Sequence, residues 1–264
     1  MLSLSALQNT SEKKEDDNNP YNADATVNLY IHFHYSSELH FSVSNFPKAV
    51  AELAIAHTDA KRRSRVLDLG CATGRTSFEL TKAFESVTGI DYAQKLVDVA
   101  LEFKKNKYLE WTVIREGEIL DAFNCSAKDI GVTAKALERV QFLCGDAHAL
   151  PPQCCNYDCV VACNLIDRLH SPAVFLENVH ELIASEGVLI LLDPYTWLPE
   201  YTAKEKWIGG RMVDNKPVTT FEALQAMLSP TFDLIKQQDV PFVIRETARK
   251  YQHVISHCTI WRRK

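Results

Sequence analysis

The chain has 264 residues, 46% of them hydrophobic and 24% charged, with a formal net charge of −5. That length suits one large α/β domain, and the composition excludes a largely disordered chain. The negative balance argues against a broad electrostatic grip on nucleic acid, and no apolar run approaches the ~18 residues that span a bilayer.

Residues 1–20 are polar and charged (Ser11 to Asn19, closed by Pro20) and are expected to be a disordered tail or linker. Residues 21–264 are expected to form a single domain. From Tyr21 to His57, aromatic and apolar residues recur at three- and four-residue spacing. Val27, Tyr30, Ile31, His34 and Tyr35 mark one helix, and Pro47 opens a second, so that 21–60 reads as a helical cap. His32 and His34 stand two apart, on different sides of a helix, and no metal ligand set is expected from them.

The segment Asp68-Leu-Gly-Cys-Ala-Thr-Gly-Arg75 follows a short apolar strand (Val66–Leu69) and precedes a helix expected over Thr76–Phe84. A second strand, Ser86–Ile90, ends at Asp91, seventeen positions past Gly74. A strand, a glycine turn, a helix and a second strand ending in an acid form the layout of a nucleoside-cofactor site. The glycines admit close approach of the backbone, and the acid takes ribose hydroxyls. The order D-x-G-x-x-x-G, with Ala72 where a dinucleotide fingerprint would need glycine, fits S-adenosylmethionine and not NAD. Gly70, Cys71, Ala72 and Gly74 are the expected loop contacts, Asp91 and Tyr92 the ribose end, and Asp68 a partner for the methionine ammonium or a residue that orders the turn.

Alternation continues. The helix after Asp91 carries Leu96, Val97, Ala100 and Leu101 inward and ends in lysines suited to its dipole. Residues 108–138 exceed a normal connection and read as an insertion. Strand three (Val140–Leu143) ends at Gly145-Asp146, placing Asp146 and the Ala147 N–H where they meet an adenine. Strand four (Tyr157–Ala162) ends at Asn164. Ser171 and Pro172 open another helix, closed by Gly187, and Val188–Leu192 ends at Asp193 and Tyr195. Another helix is read over Thr220–Leu228, and the last strands over Phe232–Gln237 and Val254–Trp261, leaving Arg245 to His253 as a charged loop. The fold expected is a Rossmann-like α/β architecture with a seven-stranded, mostly parallel sheet and an N-terminal helical cap. Cys155, Cys159 and Cys163 lie about 13 Å apart at steps of four along a strand. That is too far for one ion, so reduced thiols in a cytoplasmic protein are expected.

Among acceptors, an exocyclic amine is disfavoured because Asn164-Leu-Ile-Asp167 lacks the prolines of an amine clamp. Arg245 and Arg249 could hold a carboxylate and Glu246 an ammonium. The alternatives are a non-catalytic S-adenosylmethionine-binding module, a methyltransferase for another small amine, thiol or hydroxyl, and, less favoured, an NAD oxidoreductase.

Five segments, Asn45-Phe-Pro-Lys48, Asp68 to Arg75, Ala162 to Leu169, Pro194 to Trp197 and Val240 to His253, together resemble the C-terminal methyltransferase domain of the ovothiol-biosynthesis (OvoA) family, over residues 21–264. The resemblance implies a class I S-adenosylmethionine-dependent N-methyltransferase. It would methylate the imidazole of 5-thiohistidine (4-mercaptohistidine) to ovothiol A, with S-adenosylhomocysteine as second product. In that family the domain commonly follows an iron-dependent sulfoxide synthase. No H-x-x-x-H-x-E ligand set occurs here, so this chain is expected to perform the last step alone, beside a separate or fused synthase. Asn164, Tyr195 and Tyr35 are expected to shape the ring pocket, with Arg168, Arg245, Glu246 and Arg249 around the amino-acid groups. Cys71, in the cofactor loop, is expected to be open to oxidation.

Overall fold

The computed structural model describes residues 20–264, so the expected tail lies outside the described residues apart from Pro20. Five parallel strands form the centre of the sheet: β1 (Arg65–Leu69), β2 (Ser86–Asp91), β5 (Val140–Cys144), β6 (Tyr157–Cys163) and β7 (Ile183–Asp193). A long antiparallel hairpin, β10 (Phe232–Thr247) and β11 (Lys250–Arg263), completes it, giving the order β10-β11-β7-β6-β1-β2-β5. The chain runs outward from β1 through β2 to β5, then returns to lay β6 on the other side of β1. This reversal opens a crevice beyond the carboxyl ends of β1 and β6, where ligands bind in such sheets.

Valine, isoleucine and leucine fill the central strands because both faces are covered. One face packs against α2 (Phe46–His57), α3 (Arg75–Leu80) and α4 (Gln94–Asn106), the other against α6 (Pro172–Asn178) and α7 (Thr220–Leu228). The cap comprises α1 (Asp24–Tyr35) and α2, the latter with Asn45 as N-cap accepting the Lys48 N–H and Pro47 in its first turn. It is tied to the sheet's ligand edge. Tyr35 donates its hydroxyl to the Thr73 carbonyl at 2.7 Å, the His34 ring meets the Thr73 hydroxyl at 2.8 Å, and Arg75 donates to the His34 carbonyl.

Several local expectations change. The α3 helix stops at Leu80 and continues only as turns to Phe84. Residues 108–126 form a separate two-stranded sheet, β3 (Tyr108–Glu116) with β4 (Ile119–Ser126), followed by the short α5 (Ala134–Leu137). A second small hairpin, β8 (Arg211–Val213) with β9 (Lys216–Val218), had no sequence counterpart. Ser171 precedes α6 without a side-chain cap, and Gly187 lies inside β7, where a Cβ would press on Ile183 at 2.6 Å. Among the described residues no helix is long and apolar enough to cross a membrane, and the cysteines form no disulfide with one another.

Candidate active site

A cavity of about 920 Å³ opens at the carboxyl edge of the sheet, between the cap and the ends of β1, β2, β5 and β6. Three non-glycine residues on the loops around it hold left-handed backbone: Ala72 (φ 45°) after β1, Asn164 (φ 51°) after β6 and Tyr195 (φ 56°) after β7. Such conformations cost of order 1–3 kcal/mol each and persist where surrounding structure over-determines them, commonly at ligand sites. Here the restraints are visible. The Ala72 N–H donates to Asp91 Oδ2 at 2.8 Å, the Asn164 N–H to the Leu192 carbonyl at 2.7 Å, and the Tyr195 N–H to Asp193 Oδ1 at 2.7 Å.

Asp68, Gly70, Cys71, Ala72, Asp91, Tyr92, Asp146, Ala147 and Asn164 all border this cavity, as does Arg168. Gly70 (φ 74°) supplies the turn, and its N–H donates to the Ile90 carbonyl, closing the loop onto β2. The Asp91 carboxylate receives N–H groups from Ala72 and Ala93 on separate oxygens, which fixes it at the strand end. Burial raises the Asp91 pKa, opposed by those backbone donors. Asp68 is buried and accepts the Ser77 hydroxyl at 2.6 Å; burial pushes its carboxyl up to about 7, with neighbouring Asp91 adding to the rise.

Gly74 serves the packing. It does not border the cavity, and at φ 81° a Cβ there would lie 2.7 Å from the Phe142 ring and 2.8 Å from Ala100. Cys71 touches the cavity but is buried, and its thiol is pushed well up by burial and by Asp91. It is a poor target for oxidation, contrary to expectation.

Five expected pocket residues lie elsewhere. Tyr35 is buried behind the glycine loop, with its hydroxyl committed to Thr73 and its ring against Phe103. Tyr195 turns away and bonds His257 at 2.8 Å. The charged stretch 245–253 is no loop: β10 extends to Thr247, and strand alternation sends Phe242 and Ile244 into the cavity and Arg245 to the opposite side. There Arg245 joins Glu38 Oε2 at 3.1 Å and Asp121 Oδ2 at 2.5 Å, bridging the cap to the β3–β4 hairpin. Glu246 pairs with Lys250 and Gln252, and the exposed Arg249 with Glu116 at the hairpin tip.

Arg168 is held at the cavity wall. Its Nη1 meets Asp167 Oδ2 at 3.0 Å and the Thr196 carbonyl at 3.1 Å, its Nη2 meets the Thr196 hydroxyl, and its guanidinium lies 4.9 Å from the centre of the Tyr201 ring. Asp167 in turn accepts both the N–H and the hydroxyl of Thr196. Sequence reasoning missed the aromatic wall that the cap contributes, Tyr21, Tyr30 and Phe33, and it missed Gln252, His148 and His170. A helical period placed Tyr30 on the cap's apolar stripe, but only the docking of α1 over the sheet edge shows that the stripe faces a cavity.

The loop, the acids at the ends of β2 and β5, and the sheet order define a Rossmann-like class I S-adenosylmethionine-dependent methyltransferase. The chain belongs to the methyltransferase-domain family, whose model matches residues 42–230. A comparison with curated proteins finds no match. Among solved structures, the chain is similar to the magnesium protoporphyrin IX methyltransferase ChlM from Synechocystis PCC 6803 with bound S-adenosylhomocysteine. The two share 16% identity over 92% of this chain and 96% of that one, at a TM-score of 0.55. It is also similar to the [4+2]-cyclase SpnF (15% identity, 92% and 94% covered, TM-score 0.57) and to the N-methyltransferase NodS from Bradyrhizobium japonicum WM9 (11%, 89% and 96%, TM-score 0.51). At these identities the likeness concerns the fold.

The residues present fit S-adenosylmethionine: a turn of left-handed backbone at Gly70 and Ala72, a carboxylate (Asp91) fixed at the end of β2 and a second (Asp146) in the loop after β5. When bound, the cofactor supplies an electrophilic methyl group on a sulfonium. At about 920 Å³ the cavity stands at the upper end of the ~300–1,000 Å³ typical of small-molecule sites, room for a nucleoside cofactor and a small acceptor together.

Proposed function

We propose that the chain methylates a ring nitrogen of 5-thiohistidine, with ovothiol A as product. The observation that carries this reading is convergence. Of the segments that resemble the ovothiol family, two that lie far apart in sequence meet on one cavity wall beside the cofactor loop. Asn164, Leu165 and Arg168 come from the first, and Phe242, Ile244 and Gln252 from the second. A wall of this kind, largely apolar with a few fixed polar groups, suits a planar, thiol-bearing ring.

Arg168 is assigned the substrate carboxylate, since a planar guanidinium grips it at two points and Asp167 and Thr196 set its orientation. Asn164 is assigned the ring. Its Oδ1 accepts the Ser256 hydroxyl at 2.6 Å, which aims the side-chain amide N–H groups as donors. In the transfer, a neutral imidazole nitrogen uses its lone pair to form the new N–C bond, the C–S bond breaks with its electron pair going to sulfur, and the methylated ring loses its other N–H proton to solvent once the product leaves the site. The chain's contribution is alignment and exclusion of water; no strong base is required. An iron-dependent sulfoxide synthase, fused or separate, would join cysteine to histidine, and a C–S cleavage with reduction at sulfur would then release the thiohistidine.

A methyltransferase acting on another small amine or thiol is the second reading, favoured by the size of the cavity, which does not single out one acceptor. Calorimetric titration of 5-thiohistidine into protein saturated with S-adenosylhomocysteine decides between them, with histidine as control. Binding that requires the thiol supports the ovothiol step. Cofactor binding with no response to thiohistidine moves the assignment to another acceptor.

A further inference from the structure

At the β5 end of the cavity three side chains come together that no sequence spacing announced. Asp146 and His148 lie in the loop after β5, His170 just ahead of α6, and one ligand atom from each lies within 4.8 Å of the others. We propose that Asp146, His148 and His170 form a binding site for a divalent transition metal, zinc the simplest case, at the rim of the cofactor cavity.

The His148 ring is held from both of its nitrogens. Its Nε2 lies 3.1 Å from the Ser171 carbonyl oxygen, which can only accept, so Nε2 carries the hydrogen. In the neutral ring the lone pair is then on Nδ1. That atom lies 3.1 Å from Asp146 Oδ1, an acceptor already fixed by the His148 backbone N–H at 2.8 Å. Two acceptors therefore face each other across hydrogen-bond distance, an arrangement that only a cation between them satisfies. A metal ion and a second ring proton are the two candidates.

His170 distinguishes the metal from the proton. A proton needs only two partners, whereas the exposed His170 ring lies against His148, tilted by 46° with centroids 3.9 Å apart, and supplies a third donor at the same point. Two imidazoles and one carboxylate suit zinc, cobalt or iron(II) and not magnesium or calcium, which take oxygen donors. The bond from Nε2 to a backbone carbonyl is the usual device that orients a metal-binding histidine.

The other histidine–acid cluster, His32, Glu38 and His40, does not share this logic. Trp111 Nε1 donates to His32 Nδ1 at 3.1 Å, so His32 Nε2 must carry the hydrogen and has no lone pair for an ion, while Arg245 already neutralises Glu38.

The consequence is competition. On the cofactor reading, Asp146 accepts the adenine amine, so a metal on that carboxylate weakens cofactor binding and acts as an inhibitor. This second half rests on that reading, and the first does not.

The test is a cobalt(II) titration followed by visible absorption, comparing the wild type with His170→Ala, a surface change, and with Cys144→Ser as a thiolate control. The expected result is a one-to-one d–d spectrum without a thiolate charge-transfer band, weakened at least tenfold in His170→Ala and retained in Cys144→Ser. Zinc should then weaken S-adenosylhomocysteine binding at least tenfold in the wild type and leave it unchanged in His170→Ala. Identical cobalt spectra in the wild type and His170→Ala, or no spectrum at millimolar cobalt, would overturn the site and leave the proton as the only cation. Failure of S-adenosylhomocysteine to bind without metal would sink the cofactor reading alone, with the cobalt spectra still deciding the metal.

Discussion

The cofactor edge of the cavity and the edge assigned to the acceptor are built by different means. At the first, Gly70, Ala72 and Asp91 come from a span of about two dozen residues. Each is fixed by bonds to immediate neighbours on adjacent parallel strands. At the second, the groups arrive from the cap, from the turn after β6 and from a hairpin of 16- and 14-residue strands that closes the chain. A site of the first kind is a local backbone shape, whereas the second exists only once distant elements have docked. Substitutions at the cofactor edge should therefore act through loop geometry and charge. At the acceptor edge they should separate into those that touch ligand and those that hold elements together.

The largest effect should follow Gly74→Ala. The added Cβ would sit within 2.7 Å of the Phe142 ring at a backbone φ of 81°. Left-handed strain of about 1–2 kcal/mol adds to overpacking of about 1–3 kcal/mol. Thermal melts should show a loss of roughly 4 °C or more at the ~2–4 °C per kcal/mol of a chain this size, and S-adenosylhomocysteine affinity should fall with it. A variant that melts like the wild type but binds poorly would return Gly74 to direct ligand contact.

Asp91→Ala comes next. Charge-assisted hydrogen bonds contribute about 1.5–3 kcal/mol, so cofactor affinity should fall by roughly 10- to 100-fold. Calorimetry with S-adenosylhomocysteine reads this directly. An unchanged dissociation constant would leave Asp91 as a residue that merely caps the turn through Ala93.

The acceptor edge is tested by a pair. Arg168→Lys keeps a charge beside Asp167 but loses the planar grip, so KM for the acceptor should rise about tenfold while cofactor affinity stays. Arg245→Met should do the reverse, lowering the melting temperature by a few degrees with KM unchanged, because Arg245 holds Glu38 and Asp121 and not ligand. A raised KM at constant stability in Arg245→Met would reverse the placement drawn from strand alternation.

What the sequence revealed follows the same division. The glycine turn, Asp91, Asp146 and Asn164 were legible because strand ends in a parallel sheet converge on one edge, and short apolar runs mark those ends. Arg245 misled because a run rich in charge reads as solvated. Its side chain is buried by partners 207 and 124 positions away, which no local pattern encodes. Tyr35 misled for a related reason. Helical periodicity put it on the inward face of α1, but its hydroxyl is consumed by the Thr73 carbonyl, and that contact depends on the height at which the cap docks. The paired histidines beside Asp146 were invisible, since His148 and His170 meet only when the loops after β5 and β6 fold over one another.

A pH-dependent effect is expected at Asp68, where burial lifts the carboxyl from 3.8 to about 7. An acid whose folded pKa is raised binds its proton more tightly when folded. Its contribution to stability is therefore most favourable below about pH 4, declines as pH rises through the window to about 7, and is flat beyond. Asp68→Asn cannot ionise, so the stability difference between wild type and variant should drift downward across that window in urea melts and then level. A sulfonium and an ammonium placed near Asp68 would favour the carboxylate, so S-adenosylmethionine binding near pH 6 should release protons. Calorimetry in two buffers of different ionisation heat should detect that release in the wild type and find it reduced in Asp68→Asn. Equal proton release in both proteins would assign the release to another group and leave Asp68 with the Ser77 bond as its whole role.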